Sequence, residues 1–261
     1  MKSALDEVRA ELKICDCIIY MLDARCPKSC VNPKYEEFVA RKPVLFVLNK
    51  ADLAKTSFRE VKGWDIRGDG AVELDSTRTG AGQRVVKAVN EILKSKIQAA
   101  SAKGIKKTVR AVVIGVTNCG KSTFINNLAA GRKTQAANRP GVTRTKQWVP
   151  VTDFLWLLDT PGTLWPKFDN PQVAKNLAYI GSIKDDILDI VAVAKDLLVD
   201  LKKLAPACIK NRFDAETFED ICKKRGYILK GGVLDQERAA KAILTEFRAG
   251  KLGRFNLDEL I

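Results

Sequence analysis

The chain has 261 residues, 46% hydrophobic and 29% charged, with a formal net charge of +14 from 45 basic and 31 acidic side chains. That composition excludes a disordered chain, and the length suffices for one α/β domain and a smaller partner. The basic excess points to an anionic partner such as nucleic acid, while the lack of a secretory signal or a bilayer-length apolar run predicts a cytoplasmic protein with no membrane attachment.

Residues 3–14 read as a helix. Cys17–Asp23 is a continuous apolar run ending in a carboxylate, the pattern of a buried strand, and Asp23-Ala24-Arg25-Cys26-Pro27 then turns. Val44–Leu48 is a second buried strand, and it delivers Asn49 at its carboxyl end. Ala71–Leu74 is a third strand candidate. Residues 82–97 form an amphipathic pattern, and Ser95–Lys107 has the Lys, Ser and Ala content of a linker. Arg110–Val116 reads as a strand and Lys121–Ala130 as a helix. Strands follow near Trp148–Val151 and Phe154–Leu158. Strands alternating with helices predict a mostly parallel, doubly wound sheet. From about residue 170 only helices are predicted, over 172–180, 184–204, 214–224 and 235–249. The expected division is therefore an α/β domain over 1–168 and a small all-α domain over 169–261.

Charge is uneven along the chain. Between Glu91 and Asp153 there is no acidic residue against twelve Lys and Arg. Apart from Lys121, these are expected to be free to face a partner; a solvated linker face is the plainer alternative. The seven cysteines contain no C-x-x-C pair and the chain has no histidine. A structural zinc site is not expected, and free thiols fit a reducing compartment.

Three motifs carry chemistry. Gly115-Val116-Thr117-Asn118-Cys119-Gly120-Lys121-Ser122 lies between a predicted strand and a predicted helix, the context of a phosphate loop. Its glycines let backbone N–H groups curl around phosphates. Lys121 reaches the terminal phosphates, Ser122 ligates Mg²⁺, and Thr123 is a further candidate nucleotide-binding residue. Asp159-Thr160-Pro161-Gly162 ends an apolar strand; Asp159 is placed to hold Mg²⁺ and the Gly162 amide to sense a γ-phosphate. Asn49-Lys50-Ala51-Asp52 is a guanine-reading pattern. The Asp52 carboxylate accepts from the guanine N1–H and exocyclic amine, a pair that adenine does not offer. The Lys50 stem covers the base. Ser76-Thr77 is a weaker base-side loop.

Thr143 is the candidate first-switch ligand to Mg²⁺ and the γ-phosphate, with Thr145 as a rival and an ordinary loop Thr as the plainer reading. Asn118 either supports a monovalent cation such as K⁺ beside the phosphates or braces the loop. Cys119 is a tolerated small residue whose pKa the loop's positive field is able to lower. Thr163 stands where many such enzymes keep the Gln that orients the attacking water, so Lys121, Thr143 and Gly162 carry what catalysis there is and unaided turnover is expected to be slow.

The order of the motifs is unusual. The base-reading motif comes first, the phosphate loop second and the switch last. That is the order of a circularly permuted P-loop GTPase, and in it the chain resembles the YlqF/RbgA family. Asp23-Ala24-Arg25-x-Pro27-x-Ser29-x-x-Asn32-Pro33 is similar to that family's early signature. Pro140-Gly141-x-Thr143 with Gln147-Trp148 is similar to its first switch, and Asp159–Gly162 with Leu164 and Pro166 to its second. Lys224-Arg225-Gly226, Gly231-Gly232, Arg238-Ala239-Ala240 and Gly250–Arg254 resemble its helical domain. The resemblance implies a monomeric assembly factor that binds the large ribosomal subunit precursor and its rRNA, cycles between GTP and GDP, and responds to K⁺. Many members begin with an aromatic-Pro-Gly-His-Met segment whose His is proposed to assist hydrolysis; this sequence starts at the corresponding Met, so no catalytic His carries over. A GTP-dependent switch acting on protein partners alone is the alternative.

Overall fold

A computed structural model describes residues 4–60, 68–78, 80–130 and 148–261, with side chains from residue 8 onward. Among these the chain divides into two compact units. The first comprises Met1–Asp23, Cys30–Ala51 and Trp64–Trp165; the second comprises Ala24–Ser29, Asp52–Gly63 and Pro166–Ile261.

The first unit is a six-stranded sheet in the order β3-β2-β1-β4-β6-β5, formed by β1 (Cys17–Asp23), β2 (Val44–Asn49), β3 (Gly70–Leu74), β4 (Val109–Gly115), β5 (Trp148–Pro150) and β6 (Leu155–Asp159). All neighbours run parallel except β5 against β6. Every residue of β1 and β2 is buried, as their unbroken apolar runs require of strands covered on both faces. Pro150, which cannot donate to a ladder, sits in the edge strand. Among the described residues the helices here are α1 (Ala4–Leu12), α2 (Glu36–Val39), α3 (Ala81–Ile92), α4 (Lys94–Ser101) and α5 (Lys121–Ala130). Val85 and Val89 bury one face of α3, which packs on β2 and β3, and α5 packs on β4 and β6.

The segment read as a linker is partly helical. Leu93 (φ −102°, ψ 11°) ends α3, and α4 follows at once. Lys, Gln and Ala are good helix formers, so the composition that suggests a linker equally suits an exposed helix. The basic residues here are not all free either: Lys96 and Lys107 both pair with Asp16, at 2.6 and 2.9 Å.

The second unit is helical: α6 (Pro171–Tyr179), α7 (Ile190–Leu204), α8 (Cys208–Phe213), α9 (Phe218–Lys224) and α10 (Gln236–Arg248). Asn170, Asp189, Thr217 and Asp235 cap α6, α7, α9 and α10 by accepting from backbone N–H groups of the first turn. Leu197, Leu201, Ile221, Ile243 and Phe247 fill its core. The segment Ala24–Ser29 is fastened within this unit. The buried Asp258 carboxylate accepts from Lys28 N (2.6 Å), Ser29 N (3.2 Å) and Ser29 Oγ (2.6 Å), and Leu257 N donates to Arg25 O at 2.7 Å. The Arg25 guanidinium lies 5.3 Å from the Phe247 ring centroid. Much of the early signature therefore serves packing here. Among the described residues no helix is long and apolar enough to cross a membrane.

Candidate functional site

The sheet runs outward in one direction from β1 to β2 and β3, then returns to place β4 on β1's other side. Open parallel sheets bind ligands at such a reversal, outside the carboxyl ends of the strands. The motif residues of the first unit gather there. Asp23 and Asn49 are register partners at the ends of β1 and β2, Gly115 pairs with Met21, and Asp159 ends β6.

Backbone geometry explains the loop's glycines. Gly115 has φ +150°, and a Cβ on it would stand 2.3 Å from Met21 O. Gly120 has φ +97°, and its Cβ would stand 2.3 Å from the Asn49 amide nitrogen. A side chain at Gly115 would press on β1's backbone, and one at Gly120 would displace the Asn49 amide, at a positive φ that disfavours any Cβ. Asn118 is also left-handed, at φ +57°. The buried Lys121 ammonium donates to Gly115 O (3.1 Å) and Val116 O (2.7 Å) across the loop. Thr123 is exposed on the first turn of α5. Cys119 is fully buried and its Sγ donates to Val116 O at 3.1 Å. Burial pushes this thiol up to about 11, outweighing the lowering pull of Lys121. The expectation that the loop's field lowers its pKa is therefore corrected: desolvation wins, and the thiol is inert.

Asn49 holds two loops together. Its Nδ2 donates to Cys119 O at 2.9 Å, and its Oδ1 accepts from Ser76 N at 2.9 Å. Ser76 O in turn accepts from Asn127 Nδ2 on α5 at 2.7 Å. Thr77 turns its hydroxyl to Asp75 Oδ1 at 2.6 Å. Lys50 is left-handed (φ +58°), and its ammonium reaches Asn118 O at 3.0 Å and the buried Asp23 carboxylate at 3.1 Å. The lysine stem thus crosses the phosphate loop. Asp52 lies on the 3₁₀ turn Ala51–Leu53 and is counted with the second unit.

At the switch, Ser122 Oγ donates to Asp159 Oδ2 at 2.7 Å, and Asp159 Oδ1 is buried with no hydrogen-bond partner among the described residues. A serine hydroxyl beside an under-satisfied carboxylate is a hard oxygen set that fits Mg²⁺. Thr160 Oγ1 donates to Val113 O at 2.7 Å and ties the switch to β4. Gly162 comes close to the loop: a Cβ there would lie 2.7 Å from Thr117 Cα and 2.9 Å from Lys121 Nζ. Thr163 is buried, and its hydroxyl is hydrogen-bonded to the Tyr35 phenol. Tyr35 packs edge-on to Tyr20, whose own hydroxyl accepts from Asn32 N at 2.7 Å. Sequence reasoning did not find Tyr35, the Asp23–Lys50 pair or the bracing role of Asn49. Thr143 and its rival Thr145 lie outside the described residues.

Comparison with known proteins agrees with this geometry. Residues 110–220 match the family model described as 50S ribosome-binding GTPase. The chain is 38% identical to the ribosome biogenesis GTPase A of Bacillus cereus, over 99% of this chain and 91% of that protein. It is 36% identical to that of Priestia megaterium, over 99% and 94%. A GNP-bound YlqF structure from T. maritima, 24% identical, superposes with a TM-score of 0.64 over 97% of this chain and 96% of that one, which concerns the fold. The chain belongs to the YlqF/RbgA family of circularly permuted ribosome biogenesis GTPases.

Proposed function

We propose that this chain is a GTP-hydrolysing assembly factor of the large ribosomal subunit, switching between a GTP state that binds the subunit precursor and its rRNA and a GDP state that leaves it. The observation that carries the reading is the convergence of Asn49, the phosphate loop and Asp159 at the carboxyl ends of β2, β4 and β6. In this reading Asp52 selects guanine, the Lys50 stem covers the base, and Ser76 and Thr77 complete the base side. The amides of Asn118, Cys119 and Gly120 cradle the phosphates with Lys121, and Thr123 adds to them.

Ser122 and Asp159 would hold Mg²⁺, together with Thr143. The ion supplies positive charge that polarises the phosphates. A water attacks the γ-phosphorus, the bond to the β-phosphate oxygen breaks, and GDP and phosphate leave. Lys121 and the Gly162 amide stabilise charge on the transferring group. Asn118 would support a K⁺ beside the phosphates, whose charge would add to that stabilisation. At the position of the missing water-orienting Gln, the Thr163 hydroxyl is hydrogen-bonded to the Tyr35 phenol. The protein works in the cytoplasm as a monomer, with a GTPase domain over 1–168 and a helical, RNA-facing domain over 169–261.

The test is turnover by the full chain. GTP hydrolysis is expected to be slow alone, faster in K⁺ than in Na⁺, and faster again with large-subunit particles, with ATP neither bound nor hydrolysed. Equal use of ATP, or fast turnover in Na⁺ without particles, overturns the reading.

A further inference from the structure

At the opposite end of the sheet from the phosphate loop lies a second concave site. Asp16 immediately precedes β1, Thr108 immediately precedes β4, and Trp156 is the second residue of β6. With Ile14, Lys107 and Arg110 they line a cavity of about 370 Å³. Nothing in the GTPase reaction uses it. Trp156 is 37% exposed, while its neighbours Leu155, Leu157 and Leu158 on β6 are buried. Arg110 is its register partner on β4 and projects from the same face of the sheet. The Arg110 guanidinium also lies 5.7 Å from the ring centroid of Trp148 on β5. The partly exposed Trp156 indole and Arg110 thus share one face of the sheet, with the Trp148 ring against the guanidinium.

The charge around it is positive. Among the described residues the only acid in the lining is Asp16, held by Lys96 (2.6 Å), Lys107 (2.9 Å) and the Arg110 backbone N–H (3.0 Å). Those lysines more than neutralise it, and Lys103 and Lys106 stand exposed on the turn before β4. Aromatic planes edged by Arg and Lys recognise unstacked bases joined by phosphates. A basic peptide is repelled here, and a free mononucleotide lacks the glycine-rich cradle that holds phosphates at the other end of the sheet.

We infer that this cavity is a single-stranded RNA subsite: one unpaired base stacks on Trp156 beside Arg110, and flanking phosphates meet the lysines of the 103–107 turn. The inference rests on the proposed RNA partner and names where on the GTPase unit that partner is gripped.

The test uses the full chain loaded with a nonhydrolysable GTP analogue and an unstructured, fluorescein-labelled ten-nucleotide RNA, read by anisotropy. Trp156→Ala is expected to weaken binding about tenfold, the scale of one lost stacked base. Trp156→Phe, which keeps a ring, is expected to stay within about twofold. Thr108→Glu places a carboxylate at the exposed rim and is expected to weaken binding severalfold. Affinity for the analogue is expected to be unchanged in all three. If Trp156→Ala fails to hold the analogue, Trp156→Leu takes its place. Unchanged RNA affinity in Trp156→Ala overturns the subsite, as does a loss confined to Thr108→Glu, which marks a merely charged surface. Tighter binding of a basic peptide by Thr108→Glu also overturns it, in favour of a protein partner. If the chain binds subunit particles but not the oligonucleotide, the subsite fails and the assembly reading stands; if it binds neither, both fail.

Discussion

Asn49 is the residue whose structural role departs most from its motif, and it yields the sharpest prediction. Its amide is buried between Cys119 O and Ser76 N, both at 2.9 Å. Asn49→Ala leaves two buried main-chain groups without partners. Each such loss costs about 1–3 kcal/mol, and partial relaxation brings the expected total to about 2–4 kcal/mol. That corresponds to about 30- to 1,000-fold in a local opening constant. Hydrogen exchange at the Ser76 amide in the nucleotide-free protein reads this directly, and exchange is expected to accelerate by that factor. Asn49→Asp separates the two bonds. Its carboxylate still accepts from Ser76 N, so Ser76 protection is expected to survive. It cannot donate to Cys119 O, so the phosphate loop loosens and GDP affinity is expected to drop. If Asn49→Ala leaves Ser76 exchange unchanged while nucleotide affinity falls, Asn49 acts on the ligand and not as a brace.

Asp52→Asn is expected to move preference from guanine to xanthine nucleotides, because the new amide complements a carbonyl; competition binding with the two diphosphates checks it, and unchanged guanine preference counts against the assignment. Lys121→Ala and Ser122→Ala are expected to lose nucleotide binding or hydrolysis while the domain still melts cooperatively, since neither side chain packs the core; turnover that survives both removes the phosphate-loop assignment. In the helical unit, Asp185 accepts two bonds of 2.7 Å from Arg248, which hold its carboxyl below the usual carboxylate range. A depressed folded pKa stabilises above the unfolded value of about 3.9 and loses that contribution as pH falls through the folded value. Acid melts are therefore expected to be shallower at the low-pH end for Asp185→Asn, and an identical pH profile contradicts this.

Motifs whose chemistry needs contiguous residues were legible in the sequence. The phosphate loop, Asp159–Gly162 and Asn49–Asp52 each follow an apolar strand, and their order along the chain gave the permutation. All six strands were placed from the sequence, most plainly β1 and β2, because strands buried on both faces cannot hide their composition. What was not legible depends on tertiary pairing. Nothing near Tyr35 in the sequence signals that its phenol meets Thr163, whose reading as a vacant water-orienting position missed that bond. The Asp23–Lys50 pair was hidden in the same way, since each residue already had a reading in its own motif. The helix Lys94–Ser101 was mistaken for a linker because an exposed helix and a linker share polar, Ala-rich composition. The short helix Cys208–Phe213 is too brief to display a period. Ala24–Ser29 and Asp52–Gly63 cluster with the helical unit through contacts no local pattern reveals.

The most direct test of the central claim is sedimentation of the full chain with large-subunit precursor particles, in GDP and in a nonhydrolysable GTP analogue, across a salt series. The switch at Asp159–Gly162 leads within a few residues to Trp165-Pro166 and the helical unit. Tight binding is expected with the analogue, weaker binding with GDP, and a steep loss of both as salt displaces phosphate contacts. Binding that is indifferent to nucleotide state and to salt contradicts the account.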